Sequence, residues 1–156
     1  MRRKRNYKRD HGPDSVYDSV AVGRFINYVM EGGKKSVAEK VVYDAMDLIA
    51  KKTKEAPLTV FEKALDNVTP SMEVKSRRIG GANYQIPMEV RPERKFFLAS
   101  NWIIEAAKSK KGKPIAERLA DEILLAEKNE GEEIKKKQNV HRMAEANRAF
   151  AHFTRR

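Results

Sequence analysis

Apolar side chains recur at intervals of three or four residues along most of this chain, which is the spacing of helices with one buried face. The first such face carries Val22, Phe25 and Ile26, and its pattern stops at Gly32 and Gly33. Glycine commonly ends helices. Comparable faces follow towards the C-terminus, so we expect a mainly α fold built as a bundle of about six helices.

Local signals predict where several helices begin. Ser36 with Glu39, and Thr59 with Glu62, have the spacing of a capping box, in which the hydroxyl and the acid each bond a backbone amide at the helix start. Pro92 suits the first turn of a later helix, because its missing amide hydrogen would be unpaired there in any case.

The helix after Pro92 is apolar around most of its circumference, which is typical of a central helix. We expect Trp102, the only tryptophan, to lie in the core and not on a surface that stacks against bases. The last helix is expected to run in one piece from about Ile134 to Phe153.

One segment breaks the helical pattern, because its apolar residues alternate with polar ones. It covers about residues 72–91 and is divided by Gly80 and Gly81, which is typical of a hairpin. We predict a protruding two-stranded antiparallel β-ribbon with an apolar base and a cationic outer half.

Two registers are open to this ribbon. A two-residue glycine loop would place Met88 on the same face as charged residues of the first strand. A three-residue loop ending at Ala82 instead gathers the apolar residues of both strands on one face near the base. Side-chain alternation favours the second register, so we expect Val74 to face Met88 and not Pro87.

Length and composition limit the classes of protein that fit. The chain has 156 residues, 40% of them hydrophobic, which suits a single domain over 1–156 with a tail (1–13) and a hairpin arm (72–91). It contains no cysteine, which excludes disulfides and thiolate chemistry. No apolar run approaches the roughly 18 to 20 residues that span a bilayer. We expect a cytoplasmic protein.

The distribution of charge points to a polyanionic partner. The net charge is +11, with +5 in residues 1–13, +4 in 74–95 and +6 in 134–156, but −5 in 121–133. A charge that served solubility alone would be spread more evenly, so we expect nucleic-acid binding.

The basic tail has a composition compatible with disorder. Single-stranded or junction RNA fits the ribbon, and a DNA-binding architectural protein is the alternative.

Two motifs suggest chemistry that the chain does not otherwise support. The run Gly-Gly-Lys-Lys-Ser at 32–36 resembles the end of a phosphate-binding loop, but a predicted helix precedes it and a second lysine interrupts the order. Lys34 and Lys35 still flank a helix N-terminus, which favours anions.

The second motif is a row of polar residues on one side of the last helix, and its two histidines are eleven positions apart with a cation between them. We expect this row to be solvated or to face RNA; it comprises His141, Glu145, Arg148 and His152. The sequence predicts no catalytic residue, no metal site and no cofactor, and the chain is not expected to be an enzyme.

Four blocks of sequence resemble one known family. They are PDSVY at 13–17, FINYVMEGGKKSVAEKVVYDA at 25–45, VKSRRIGGANYQIPMEVRPERK at 74–95 and HRMAEANRAFAHF at 141–153. In this order they are similar to the bacterial small-subunit ribosomal protein seven family over essentially the whole chain.

The resemblance implies a helical bundle with a β-ribbon and a structural role in the small ribosomal subunit. It implies primary binding to the 3′ major domain of small-subunit (16S) ribosomal RNA, which nucleates assembly of the head. The place it implies is near the decoding centre and the exit-site tRNA, with small-subunit ribosomal proteins nine and eleven as neighbours.

The resemblance and the charge pattern together nominate site residues. Contacts to ribosomal RNA are expected from cations in the tail, at the helix start, in the ribbon and in later helices and loops: Arg2, Arg3, Lys4, Arg5, Lys8, Arg9, Lys34, Lys35, Lys75, Arg77, Arg91, Arg94, Lys95, Lys110, Lys111, Lys113, Arg142 and Arg148. Proximity to tRNA is expected for the tip of the ribbon: Arg78, Gly80, Gly81, Asn83 and Tyr84.

Overall fold

A computed structural model describes residues 11–155, and this part of the chain is mainly helical. A two-stranded antiparallel sheet interrupts the helices, so the expected fold class is confirmed. In chain order the elements are α1 (Val20–Val29), α2 (Lys35–Thr53), α3 (Pro57–Val68), β1 (Met72–Ile79), β2 (Ala82–Glu89), α4 (Pro92–Ser109), α5 (Ile115–Glu127), α6 (Glu132–Ala146) and a 3₁₀ segment (Arg148–Arg155).

The chain divides within α2 into two compact units, the first ending at Lys40 and the second beginning at Val41. The single domain expected from the length therefore stays a prediction. None of the helices described between residues 11 and 155 has the length and apolar character needed to cross a membrane.

In the first unit a polar loop is folded against the start of α1. The Asp14 carboxylate accepts hydrogen bonds from the backbone amides of Val16 and Tyr17, both at 3.1 Å. A Cβ atom on Gly23 would lie 3.2 Å from the carbonyl oxygen of Gly12. Glycine at position 23 therefore allows the loop to approach the helix closely.

The core of the second unit lies among α3, α4 and α5. Phe61, Ile103 and Ile123 are almost fully buried, and Trp102 is 8% exposed, which confirms its predicted place in the core. Asn67 ties the helix ends together, because its side-chain amide donates to the carbonyl oxygens of Ala126 and Glu127 at 3.1 and 2.8 Å.

Both predicted capping boxes are wrong. The second predicted start, Thr59, lies inside α3, whose N-cap is Ala56 and makes no side-chain capping bond. Pro57 moves the start upstream, because its fixed φ suits the first helical position. Ser36 lies inside α2 in the same way, since that helix begins at Lys35 directly after the turn through Gly33.

The predicted ribbon is present, but its predicted register is wrong. Ile79 pairs with Ala82, and Val74 pairs with Pro87 instead of Met88. Gly80 and Gly81 have φ angles of +56° and +90°, the left-handed conformation of a two-residue hairpin loop whose twist matches that of the strands. The turn geometry therefore outweighs the grouping of apolar residues on one face.

The ribbon tolerates this register because both faces of β2 are covered near its base. Ile86 is 3% exposed, and its neighbour Pro87, which points to the opposite face, is also buried. Helix α6 packs against both strands, and the 3₁₀ segment packs against β2. One apolar face is therefore not needed to anchor the ribbon.

The expectation of one helix from 134 to 153 is also wrong, because α6 ends at Ala146. Asn147 caps the helix: its side-chain amide donates to the carbonyl oxygen of Met143 at 2.8 Å, and its backbone amide donates to the same atom at 3.2 Å. The chain tightens there into the 3₁₀ segment, whose residues pack against β2.

We expect Gly81→Val to loosen the ribbon. In the part of the chain that the structure describes, nothing lies within 4 Å of a Cβ atom at this position, so the cost comes from backbone conformation alone. A left-handed residue with a Cβ atom costs about 1–2 kcal/mol, so amide hydrogen exchange in β1 and β2 should accelerate about tenfold.

The control is Gly80→Asn, because asparagine tolerates the left-handed conformation of such turns. Its exchange rates should stay close to those of the wild type. Equal rates in the wild type and the valine variant would contradict the turn described above.

Candidate nucleic-acid interface

In the first unit, two predicted RNA-binding cations stand at the start of α2. Lys34 and Lys35 are both exposed, directly after the left-handed glycines that turn the chain. The Nζ atom of Lys35 lies 3.9 Å from a carboxylate oxygen of Glu39. At this distance and exposure the pair is weak, so the amino groups of both lysines are available to anions.

In the second unit, the outer half of the ribbon is cationic. Lys75, Arg77 and Arg78 are exposed, as are Asn83 and the two turn glycines. Because side chains alternate along a strand, Arg77 and Arg78 point to opposite faces. Nη1 of Arg77 donates to the carbonyl oxygen of Phe153 at 3.2 Å.

Tyr84 was predicted to lie at the tip near tRNA, but its ring is already engaged. The centroid of the ring lies 5.2 Å from that of Phe150 and 5.8 Å from that of Phe153. Tyr84 is half-buried. Its ring therefore has a packing role within the fold, while Arg78 and Asn83 near the turn are exposed.

The sequence did not mark Glu73, which organises the base of the ribbon. Its side chain is 12% exposed and lies 3.3 Å from both the Nζ atom of Lys75 and the Nε atom of Arg94. The Arg94 guanidinium also sits 4.8 Å from the centre of the Phe97 ring. Two predicted RNA-binding cations thus share one carboxylate, and no local sequence pattern reveals this.

Further predicted cations lie near the start of α4, on α6 and at the start of the 3₁₀ segment. Arg91 is exposed and Lys95 is half-buried at the helix start, while Arg142 is exposed on α6. The side chain of Arg148 is 80% exposed, and its Nη1 atom lies 3.4 Å from Glu145. Such an exposed pair contributes little to stability, so the guanidinium of Arg148 is open to other anions.

The loop between α4 and α5 presents three more predicted cations. Lys110 forms an ion pair with Glu122, and the Nζ atom of Lys113 lies 3.4 Å from Asp121. A hydrogen bond from Lys52, together with Lys113, lowers the pKa of Asp121. Lys111 is exposed, and within residues 11–155 no carboxylate pairs with it.

Two buried carboxyl groups from the acidic run 121–133 lie behind this loop. Glu122 is 0% exposed and Glu133 is 1% exposed. Burial, together with the neighbouring Glu122, raises the pKa of Glu133 to about 8. Glu133 is therefore largely protonated near neutral pH, while Lys110 pairs with Glu122.

The polar row expected on the last helix does not form one solvated surface. Nε2 of His141 accepts a hydrogen bond from the backbone amide of Ser71 at 3.1 Å. Burial and the nearby Lys137 lower the pKa of His141, which favours the neutral ring that can accept this bond. His152 lies beyond the end of α6, in the 3₁₀ segment.

Two groups of predicted cations in the second unit lie at opposite ends of α4. Arg91, Arg94 and Lys95 lie at its start, beside the ribbon, and the basic loop 110–113 follows its end. A helix of 18 residues is about 27 Å long at 1.5 Å per residue. The two groups are therefore too far apart to bind a single phosphate group.

The tail cations lie outside the described residues: Arg2, Arg3, Lys4, Arg5, Lys8 and Arg9.

The chain is similar to known proteins over nearly all of its length. A model of the family described as ribosomal protein S7p/S5e matches residues 1–148. The small ribosomal subunit protein uS7 of Thermosipho melanesiensis is 56% identical over 153 residues, which cover 98% of this chain and 99% of that protein. The uS7 protein of Thermotoga maritima is 55% identical over the same shares. That of Dictyoglomus turgidum is 59% identical over 145 residues, 93% of each chain.

The buried carboxyl pair should make stability depend on pH. A carboxyl group whose pKa rises from 4.5 to about 8 on folding contributes stability that is fully present below pH 4.5 and is lost as the pH rises through 8. In Glu133→Gln, which mimics the protonated acid, this loss should be absent. Between about pH 5 and pH 8, we expect the free energy of unfolding of the wild type to fall by at least about 1.4 kcal/mol more than that of the variant, the equivalent of one pKa unit.

Urea unfolding at several pH values measures this difference. Glu132→Gln is the matched control, because the side chain of Glu132 is 73% exposed. Parallel pH profiles for the wild type and Glu133→Gln would show that Glu133 is ionised in the folded protein.

Proposed function

The chain belongs to the ribosomal protein S7p/S5e family, and from this premise we propose that its separated cationic groups bind the 3′ major domain of small-subunit ribosomal RNA. A member of this family is a structural constituent of the small ribosomal subunit and not an enzyme. It acts in the cytoplasm as part of the ribosome. The resemblance seen in the four sequence blocks is thereby confirmed.

The placement of cations at both ends of α4 carries the proposal. Glu73 holds Arg94 at one end, and Glu122 holds Lys110 at the other. The distance of about 27 Å between the ends suits several phosphates of a folded RNA, such as a junction between helices. A rigid helix thus presents two fixed groups of cations to one polyanion.

The position within the subunit is the finer part of the proposal. Binding of this domain nucleates assembly of the head, and the protein lies near the decoding centre with small-subunit proteins nine and eleven as neighbours. The tip of the ribbon approaches the exit-site tRNA. Arg78 and Asn83 are exposed near the tip, and the two turn glycines carry no side chains. The tip is therefore open to a phosphate backbone, which supports this placement.

The family assignment gives no support to the alternative of a DNA-binding architectural protein. A direct comparison distinguishes the two nucleic acids. At one fixed salt concentration, a junction fragment of the 3′ major domain should compete better than duplex DNA of equal length for the purified protein.

We expect Arg78→Ala combined with Lys111→Ala to weaken binding to that RNA fragment. Arg78 lies in the outer half of the ribbon and Lys111 in the basic loop 110–113, and both are exposed. Each lost phosphate contact should lower the slope of log affinity against log salt by about 1, so the slope should fall by about 2 in the double variant. Fluorescence anisotropy over a salt series measures both quantities.

Lys63→Ala is the matched control, because the Nζ atom of Lys63 lies 3.3 Å from Glu55 and 3.6 Å from Glu127. This control should bind RNA like the wild type. An unchanged affinity in the double variant would refute a phosphate-binding role for Arg78 and Lys111.

A further inference from the structure

The outer half of the ribbon needs support from outside the two strands. From Lys75 to Arg78 every residue of β1 is exposed, and a lone two-stranded ribbon is only marginally stable in water. Helix α6 and the 3₁₀ segment both pack against the ribbon. The contacts of the 3₁₀ segment reach the part of β2 that carries Tyr84.

The 3₁₀ segment holds this outer half through an aromatic cluster. The ring of Tyr84 packs against Phe150 and Phe153 at centroid distances of 5.2 and 5.8 Å. The two phenylalanine rings are themselves 6.5 Å apart and stacked. All three residues are half-buried, so the cluster shields apolar surface from water on both elements.

A hydrogen bond joins the same two elements at the same place. Arg77 donates to the carbonyl oxygen of Phe153 at 3.2 Å, and Arg77 is the cross-strand partner of Tyr84. Phe153 therefore contacts both members of one cross-strand pair, one through its ring and one through its carbonyl group. We call the contacts of Tyr84, Phe150, Phe153 and Arg77 the C-terminal clamp.

The next cross-strand pair points the other way. Arg78 pairs with Asn83, and because side chains alternate, this pair lies on the face opposite the clamp. Both residues are exposed. The outer half of the ribbon thus has one face that is held by the chain itself and one face that is open.

The segment that provides the clamp has little reason to keep its shape alone. Most 3₁₀ helices are no longer than three or four residues, because their hydrogen-bond geometry is poor. This segment has eight residues. Its packing against β2 stabilises it. The ribbon and the segment therefore order each other.

We propose that the C-terminal clamp positions the ribbon for RNA: it holds the Arg77 and Tyr84 face and so presents the Arg78 and Asn83 face to the phosphate backbone. The inference rests on the proposed function. It gives the two adjacent arginines different roles, since Arg77 is a positioning residue and Arg78 is the residue that contacts RNA.

Salt dependence separates the two roles. Loss of a phosphate contact lowers the slope of log affinity against log salt by about 1. Loss of positioning lowers affinity while the same phosphates are still neutralised in the complex, so the slope is unchanged. A purely structural role far from RNA would change neither quantity.

The experiment compares full-length variants on the junction fragment of the 3′ major domain. Arg78→Gln should lower both affinity and slope. Arg77→Gln, and separately Phe150→Leu with Phe153→Leu, should lower affinity about fivefold and leave the slope unchanged. Met143→Ala, which truncates a 51% exposed apolar residue of α6 outside the clamp, should bind like the wild type.

Hydrogen exchange in the free protein tests the clamp without RNA. Amides of the outer half of the ribbon should exchange about tenfold faster in both clamp variants, with far-UV circular dichroism unchanged. A fall in slope for Arg77→Gln equal to that of Arg78→Gln would overturn the inference, and so would unchanged exchange in both clamp variants. Wild-type protein that shows no preference for the RNA fragment would instead refute the proposed function.

Discussion

Mutual repulsion among the cationic side chains is the constraint on which the described surface depends. The chain carries 33 lysines and arginines against 22 acidic residues, and a partner of opposite charge requires many of these cations to stay close together. The second unit relieves the repulsion with carboxylates placed among the cations. Glu73 forms ion pairs at the base of the ribbon, and Asp121 and Glu122 form ion pairs with lysines of the basic loop. Because Glu73 and Glu122 are largely shielded from solvent, salt screens their ion pairs less than it screens a pair at the surface.

These acids also fix the directions in which the cations point. An exposed lysine has many rotamers, and each one that becomes ordered on binding costs conformational entropy. A lysine or arginine that already rests on a carboxylate has lost part of that freedom during folding. The acids among the cations thus weaken the attraction to RNA at long range and lower the entropy cost of close contact.

Periodicity in the sequence predicted the elements that depend on local pattern. The mainly helical class, the ribbon and the buried Trp102 follow from spacing alone. The errors arise where a second local preference or a distant partner decides. Turn geometry at Gly80 and Gly81 shifted the register by one residue, and Pro57 moved a helix start.

The candidate site was less predictable than the fold, because its organising contacts join residues far apart in sequence. Glu73 meets Arg94 across 21 positions, and Arg77 meets Phe153 across 76. Composition could identify the cations but not the acids that hold them. The end of α6 was also hidden, because Asn147 continues the helical pattern of the sequence. Its side-chain amide bonds the carbonyl oxygen of Met143, and asparagine side chains of this kind compete with the backbone hydrogen bonds of a helix.

The turn of the ribbon has a consequence for what can surround it. At Gly80 and Gly81 the tip carries no side chains, and among the described residues nothing lies within 4 Å of where their Cβ atoms would be. The tip is therefore about as thin as two polypeptide backbones. Such a narrow wedge can enter a gap between two neighbouring molecules that would exclude a bulkier loop.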